Sequence, residues 1–156
     1  MILDPPQISE VLPQAKVLLD VASMQTILGG TGRVLVAKGD TVIEEFPSVD
    51  ETGFAARIVL MYRNDSPTEF LDQTIPVYWN LRVDVKCSDQ ADPNIITDYI
   101  QKEAFKLLQD KTLTLSYAEQ LFKVWRKTCS QKCRLDDQGW YYKASKWQTI
   151  LTTKRN

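Results

Sequence analysis

Four groups of residues in this chain have types and spacings that suggest chemistry. Cys129 and Cys133, in Cys-Ser-Gln-Lys-Cys, have the spacing of half a zinc site. A structural zinc takes four Cys or His ligands, but Cys87 is the only other Cys and His is absent. The pair therefore reads as two free thiols on or beside a strand. Gly29-Gly30-Thr31-Gly32 has the glycine density of a phosphate-binding loop. The Lys-Ser or Lys-Thr of such a loop is missing, and these glycines follow a helical pattern where a nucleotide loop follows a strand. A helix cap and a turn account for them better. Asp136-Asp137 and the run Asp40, Glu44, Glu45, Asp50, Glu51 offer carboxylates, but they fall in turns, where carboxylates are usually solvated. Lys123, Arg126, Lys127, Lys132 and Arg134 surround Trp125, a mixture of cations and an aromatic that can hold a single strand. A solvated strand face that balances an acidic neighbour is the simpler reading. Without His there is no Ser–His or Cys–His nucleophile pair. No catalytic residue, metal ligand or cofactor site is expected.

The same residues suggest assembly. An acidic stretch (40–51) and a basic one (123–134) on one small domain suit head-to-tail association, plus against minus. Trp79, Trp125, Trp140 and Trp147 are many Trp for this length. Core filling is the plain explanation, but Trp is also enriched at interface hot spots, and Trp140 and Tyr141 stand next to a turn. The candidate contact residues are Asp40, Glu44, Glu45, Asp50, Glu51, Lys123, Arg126, Lys127, Trp140 and Tyr141.

The elements that position these groups are legible from periodicity. From Val77 to Cys87 an apolar side chain recurs at every second position, with Asn80, Arg82, Asp84 and Lys86 between. That is a strand with one buried and one wet face. After a polar break, Asp92 is a good N-cap and Pro93 suits the first helical position. Ile96, Tyr99, Ile100, Ala104, Leu107 and Leu108 form the apolar stripe of a helix, opposite Asp98, Gln101, Lys102 and Lys106. Burying the larger members contributes roughly 1.5–3 kcal/mol each.

Earlier in the chain, Ile8 to Leu28 reads as an amphipathic helix. Pro13 either falls in the first turn of a helix starting near Leu12 or kinks a longer one, and Gly29-Gly30 end the helix. Arg33–Ala37 is a strand with Thr41–Glu44 as its hairpin partner. Residues 46–53 are an exposed loop, and Phe54–Arg63 is the next strand. Ser116-Tyr117-Ala118-Glu119 matches a capping box, predicting a short helix to about Lys123 and then a strand from near Val124. Asp136-Asp137-Gln138-Gly139 is a turn, and Trp140–Thr152 a final strand closing a hairpin.

The 156 residues fit one domain. The predicted class is α+β, a mostly antiparallel twisted sheet with an N-terminal helix and a central helix packed on it. A net charge of −1 argues against a protein whose main job is gripping duplex DNA. No apolar run is long enough to span a bilayer. The start MILDPPQISE lacks a basic region followed by an apolar one, so no secretory signal is expected. Three Cys suit a reducing cytosolic origin.

The layout as a whole resembles the tail terminator proteins of long-tailed bacteriophages. The matching stretches are Ile8 to Leu28, Arg33 to Arg63, Val77 to Leu108 and Gly139 to Leu151. The most similar pieces are WNLRVDVKCSDQADPNIITDYIQKEAFKLL and the closing WYYKASKWQTIL. The resemblance implies a structural virion protein, assembled in the host cytoplasm, with no catalysis and no cofactor. Its partners would be itself in a ring, usually of six subunits, the tail tube protein, and the head connector or stopper. DNA would pass through the lumen without sequence-specific binding. A head–tail stopper, or another neck or baseplate protein, is the neighbouring alternative. A carboxylate-dependent nuclease using Mg²⁺ is the rival from a different class.

Overall fold

The computed structural model describes residues 8–38, 47–63, 74–88, 90–113, 121–130 and 132–152. A 3-10 turn (Ile8–Glu10) leads into helices α1 (Val11–Leu19) and α2 (Ala22–Leu28). Strands β1 (Val34–Val36), β2 (Ala55–Tyr62) and β3 (Thr74–Lys86) come next, and β3 feeds α3 (Pro93–Leu108). The chain then forms β4 (Thr112–Leu113), β5 (Leu121–Cys129), β6 (Arg134–Leu135) and β7 (Tyr141–Thr152). All seven strands join one sheet in the order β1-β2-β3-β7-β5-β4, with β6 beside β7. Only β1–β2 is parallel. The expected α+β class holds, with a mixed sheet. Helix α1 touches both β1 and β4, which lie at opposite ends of the strand order. The sheet therefore curls around the helices.

The alternation that began at Val77 becomes β3, paired along its length with β2 on one edge and β7 on the other. Val77, Trp79, Leu81, Val83 and Val85 are all buried toward the helices. Trp79 lies directly opposite Trp147 in the register, and the two indoles stack 5.5 Å apart at 14°. Phe105 of α3 meets Trp147 at 6.5 Å, so the helix sits on the pair.

Buried indole N–H groups need acceptors. Trp79 Nε1 donates to Thr149 Oγ1 at 2.9 Å, and Trp147 Nε1 to Ser145 Oγ at 2.8 Å. Ser145 passes its proton to Gln101 Oε1 at 2.8 Å. Gln101 Nε2 then donates to the carbonyls of Lys143 and Leu81, at 2.9 and 3.3 Å. This network corrects the expected polar face of α3. Gln101 and Thr97 are buried, while Tyr99, placed in the apolar stripe, is 57% exposed.

The helix starts as predicted. Asp92 accepts from Asn94 N at 2.9 Å, with Pro93 in the first turn. At its end, Gln109 Oε1 accepts from Arg126 N and Asp110 N donates to Val124 O. These two bonds close the edge of β5 beyond β4, which would otherwise be open to a stray strand.

Three expectations change. The single helix from Ile8 is two, because Asp20 and Val21 leave helical space, Val21 being extended at φ −115, ψ 164. Asp20 Oδ1 instead accepts from Gln25 Nε2, the local side-chain competition typical of Asp. Pro13 lies within the first turn of α1. Second, Leu121–Lys123 are strand rather than the end of a helix. Third, β1 has a parallel partner in β2; the expected hairpin return Thr41–Glu44 lies outside the described residues, as does 116–120 of the expected short helix. The glycine cap is as read. Gly30 N donates to Gln25 O and Gly29 N to Thr26 O, a Schellman pair, with Gly29 at φ 86.

Replacing Gln101 with Ala leaves two buried carbonyls without that donor and Ser145 without its acceptor. The expected loss is about 1–3 kcal/mol per orphaned group. A urea midpoint lowered with unchanged slope is the readout. A neutral outcome would mean the network does not hold α3.

Candidate functional site

The pleat of the sheet decides which charged groups meet. Cross-strand partners share a face, so side chains partnered with Trp79 or Val83 point to the helices and those partnered with Asp84 point away. On the outer face, Arg57 Nε meets Asp84 Oδ2 at 2.8 Å and Arg82 Nε meets Asp84 Oδ1 at 2.6 Å. Arg57 and Asp84 are almost wholly buried, and Arg82 is 28% exposed. The "wet" face of β3 is therefore closed where it adjoins β2. Burying a carboxylate is tolerable here because both its oxygens are paired.

Arg82 also lies 4.4 Å above the ring of Tyr142. Lys86 stands over Trp140 at 5.7 Å and Lys127 over Tyr78 at 4.7 Å. Arg134 faces the same way, as the register partner of Tyr142, and exposed Lys146 is the partner of Asn80. Three of these cations rest on aromatics, and the whole row is drawn from four strands. Sequence reading missed it, although the parity of Arg82, Lys86 and Lys146 held the signal.

The expected basic cluster, by contrast, is divided. Arg126 is the partner of Trp147 and stacks on Phe105 at 4.3 Å, on the helix side. The pleat turns the next residue, Lys127, to the other side, and the ladder shifts register between Arg126 and Thr128. Lys123 holds a backbone position in β5 opposite Ile150. Lys132 is exposed.

Among the acidic candidates, Asp40, Glu44 and Glu45 lie outside the described residues. Asp50 and Glu51 are exposed in the turn before β2. Asp50 Oδ1 accepts from Thr52 Oγ1, Thr52 N and Phe54 N at 2.6, 2.8 and 3.0 Å. These bonds, led by the Thr52 hydroxyl, hold its carboxyl below the usual value. Asp136 has a similar local task, accepting from Gln138 N and Trp140 N at 2.9 and 2.8 Å. Trp140, a candidate contact residue, is only 6% exposed and has little surface to offer a partner in the single chain. Tyr141 is half-buried opposite Val85.

A cleft of about 410 Å³ flanks α3, lined by Asn94, Ile95, Asp98, Tyr99, Lys102 and Lys143. Lys143 is buried, with its ammonium 3.5 Å from Asp98. Among the described residues the lining holds one carboxylate, Asp98. Among the described residues no group of three His, Cys, Asp or Glu is placed to hold a metal ion. Cys87, Cys129 and Cys133 form no disulfide and are half-buried, and burial pushes the Cys129 thiol up against the opposing pull of Arg126 and Lys143. No described helix is long and apolar enough to cross a membrane.

Two outcomes are expected. Asp84→Ala removes the buried negative charge shared by two arginines and costs about 3–5 kcal/mol, read by chemical denaturation. The Asp50 carboxylate, with its depressed value, supports its turn above the ordinary carboxylate range and loses that role as pH falls through its folded value. The protection of the Thr52 and Phe54 amides, taken relative to their intrinsic exchange at each pH, falls there, and in Asp50→Ala it is low at every pH. No family model matches the chain, and no curated protein sequence matches it.

Proposed function

We propose that this chain is a structural virion protein of the tail terminator kind. In this reading six copies form a ring that caps the finished tail tube and joins it to the head connector or stopper, with DNA passing through the lumen. The work is contact with copies and neighbours, with no catalysis and no cofactor. The observation that carries the reading is the order of elements: an N-terminal helix pair, a curled sheet, and a long strand running straight into a helix laid across it. The resemblance implies a final strand region near the C-terminus, and the long closing strand β7 lies there, paired with β3.

The distribution of charge supports the same reading. The exposed turn at Asp50 and Glu51 and the half-buried β5 cation Arg126 on the helix side lie on different elements, so one copy's acids can meet a basic group of the next copy. Asp136, which a nuclease would need free for a metal, is engaged by two backbone N–H groups of its own turn.

Particles assembled without this protein distinguish the readings. Abnormally long or unjoined tails are expected. Normal tails beneath empty, leaking heads would instead place the chain among the connectors or stoppers. Purified protein that cleaves DNA with Mg²⁺, and stops when Asp136→Asn or Asp137→Asn is introduced, would overturn the structural role.

A further inference from the structure

The seven strands contain a single carboxylate, Asp84, in a chain whose acids outnumber its bases, 20 to 19. That carboxylate is fully buried and gives both oxygens to Arg57 and Arg82. The other acids among the described residues therefore lie outside the strands, and the exposed part of the described sheet is left positive. On its outer face, Lys86, Lys127, Arg134 and Lys146 are all exposed, and Arg82 is partly so. None of the four exposed cations makes an ion pair among the described residues.

From this charge arrangement we infer that the outer face of β3, β7, β5 and β6 is a docking surface for the phosphodiester backbone of a nucleic acid. Phosphate neutralisation by such cations releases counterions and gives affinity without sequence information. The mode follows from the rings. Tyr78, Trp140 and Tyr142 already lie beneath the chain's own cations, at 4.7, 5.7 and 4.4 Å. Their faces are taken, so they cannot serve as platforms for bases as in single-strand binders. They act instead as rests that hold the long side chains in place, which lowers the entropy lost on gripping a phosphate. Trp125, half-buried opposite Gln148, is the one aromatic of this face with no cation over it among the described residues. The inference does not require the ring, since it concerns what a single chain presents.

Fluorescence anisotropy of the full chain with a labelled mixed-sequence DNA duplex tests it. Binding is expected at about 50 mM salt, with the logarithm of affinity falling linearly against the logarithm of salt. The exposed pair Lys86→Glu and Lys146→Glu, shown by circular dichroism to be folded, should weaken binding at least about tenfold and flatten the salt slope by about one per lysine. Lys102→Glu with Lys106→Glu, on the exposed side of α3, changes net charge equally and should leave affinity within about twofold. Thymine and adenine homopolymers should bind within about threefold of one another, as phosphate-only contacts require. Equal losses from both lysine pairs, or no binding by the unaltered chain, would overturn the assignment. So would a strong base preference. An outer-face pair that alters self-association while DNA binding persists would give this face to an acidic surface of a second copy.

Discussion

Two tryptophans set the terms for the rest of the molecule. Trp79 and Trp147 face one another at the middle of the two longest strands, and both are fully buried. Each brings a large apolar ring and one N–H that must find an acceptor in a place without water. Thr149 and Ser145 supply those acceptors from the same strand face. Ser145 needs an acceptor in turn, and Gln101 of α3 is the side chain that reaches it. Helix α3 is therefore fixed in rotation and depth by a polar chain as much as by its apolar stripe. That is why Gln101 is buried and Tyr99 turned outward.

Once one face of the sheet is committed in this way, the other must carry the charges that period two places between the apolar residues. Arg57, Arg82 and Asp84 solve this locally by pairing under cover, while Lys86 and Lys127 lie out on aromatics and Arg134 and Lys146 stand exposed beside them. An apolar stack on one side and a basic surface on the other are two products of one alternation. For the proposed ring-forming role, the consequence is that helix side and sheet side present unlike chemistry. Subunits that meet through one keep the other for something else.

The parts legible in the sequence were those decided by near neighbours. Asp92 and Pro93 start a helix, Gly29 ends one, Asp136 to Gly139 turn the chain, and the alternation through β3 reads as strand, all for reasons contained within a few residues. What was not legible depends on register across the sheet. Nothing local in Ile96–Leu108 shows that Gln101 has two carbonyls and a serine to meet. Trp140 looks like an exposed turn residue until Lys86 and the neighbouring strands cover it. The basic run 123–134 looked continuous because it is so in sequence, whereas the pleat and a bulge divide it. The outer cationic row was hidden for the opposite reason, since its members are scattered over some sixty residues of chain from Arg82 to Lys146.

That bulge joins the helix to the charge pattern. Arg126 gives its N–H to Gln109 Oε1 at the end of α3, and one residue later the ladder with β7 has shifted. Strict alternation already sends Arg126 and Lys127 to opposite faces, and the extra residue resets the parity only from Thr128, which keeps Cys129 opposite Ser145. Arg126 packs on Phe105 beneath α3, while its neighbour Lys127 reaches Tyr78 on the far side. The C-terminal end of α3 thus holds Arg126 on the helix side, and the pleat leaves Lys127 to the other face. Because Phe105 also bears on Trp147, the placing of that boundary traces back to the indole pair. A core contact and a surface charge, on opposite sides of one sheet, are set by the same seating of a single helix.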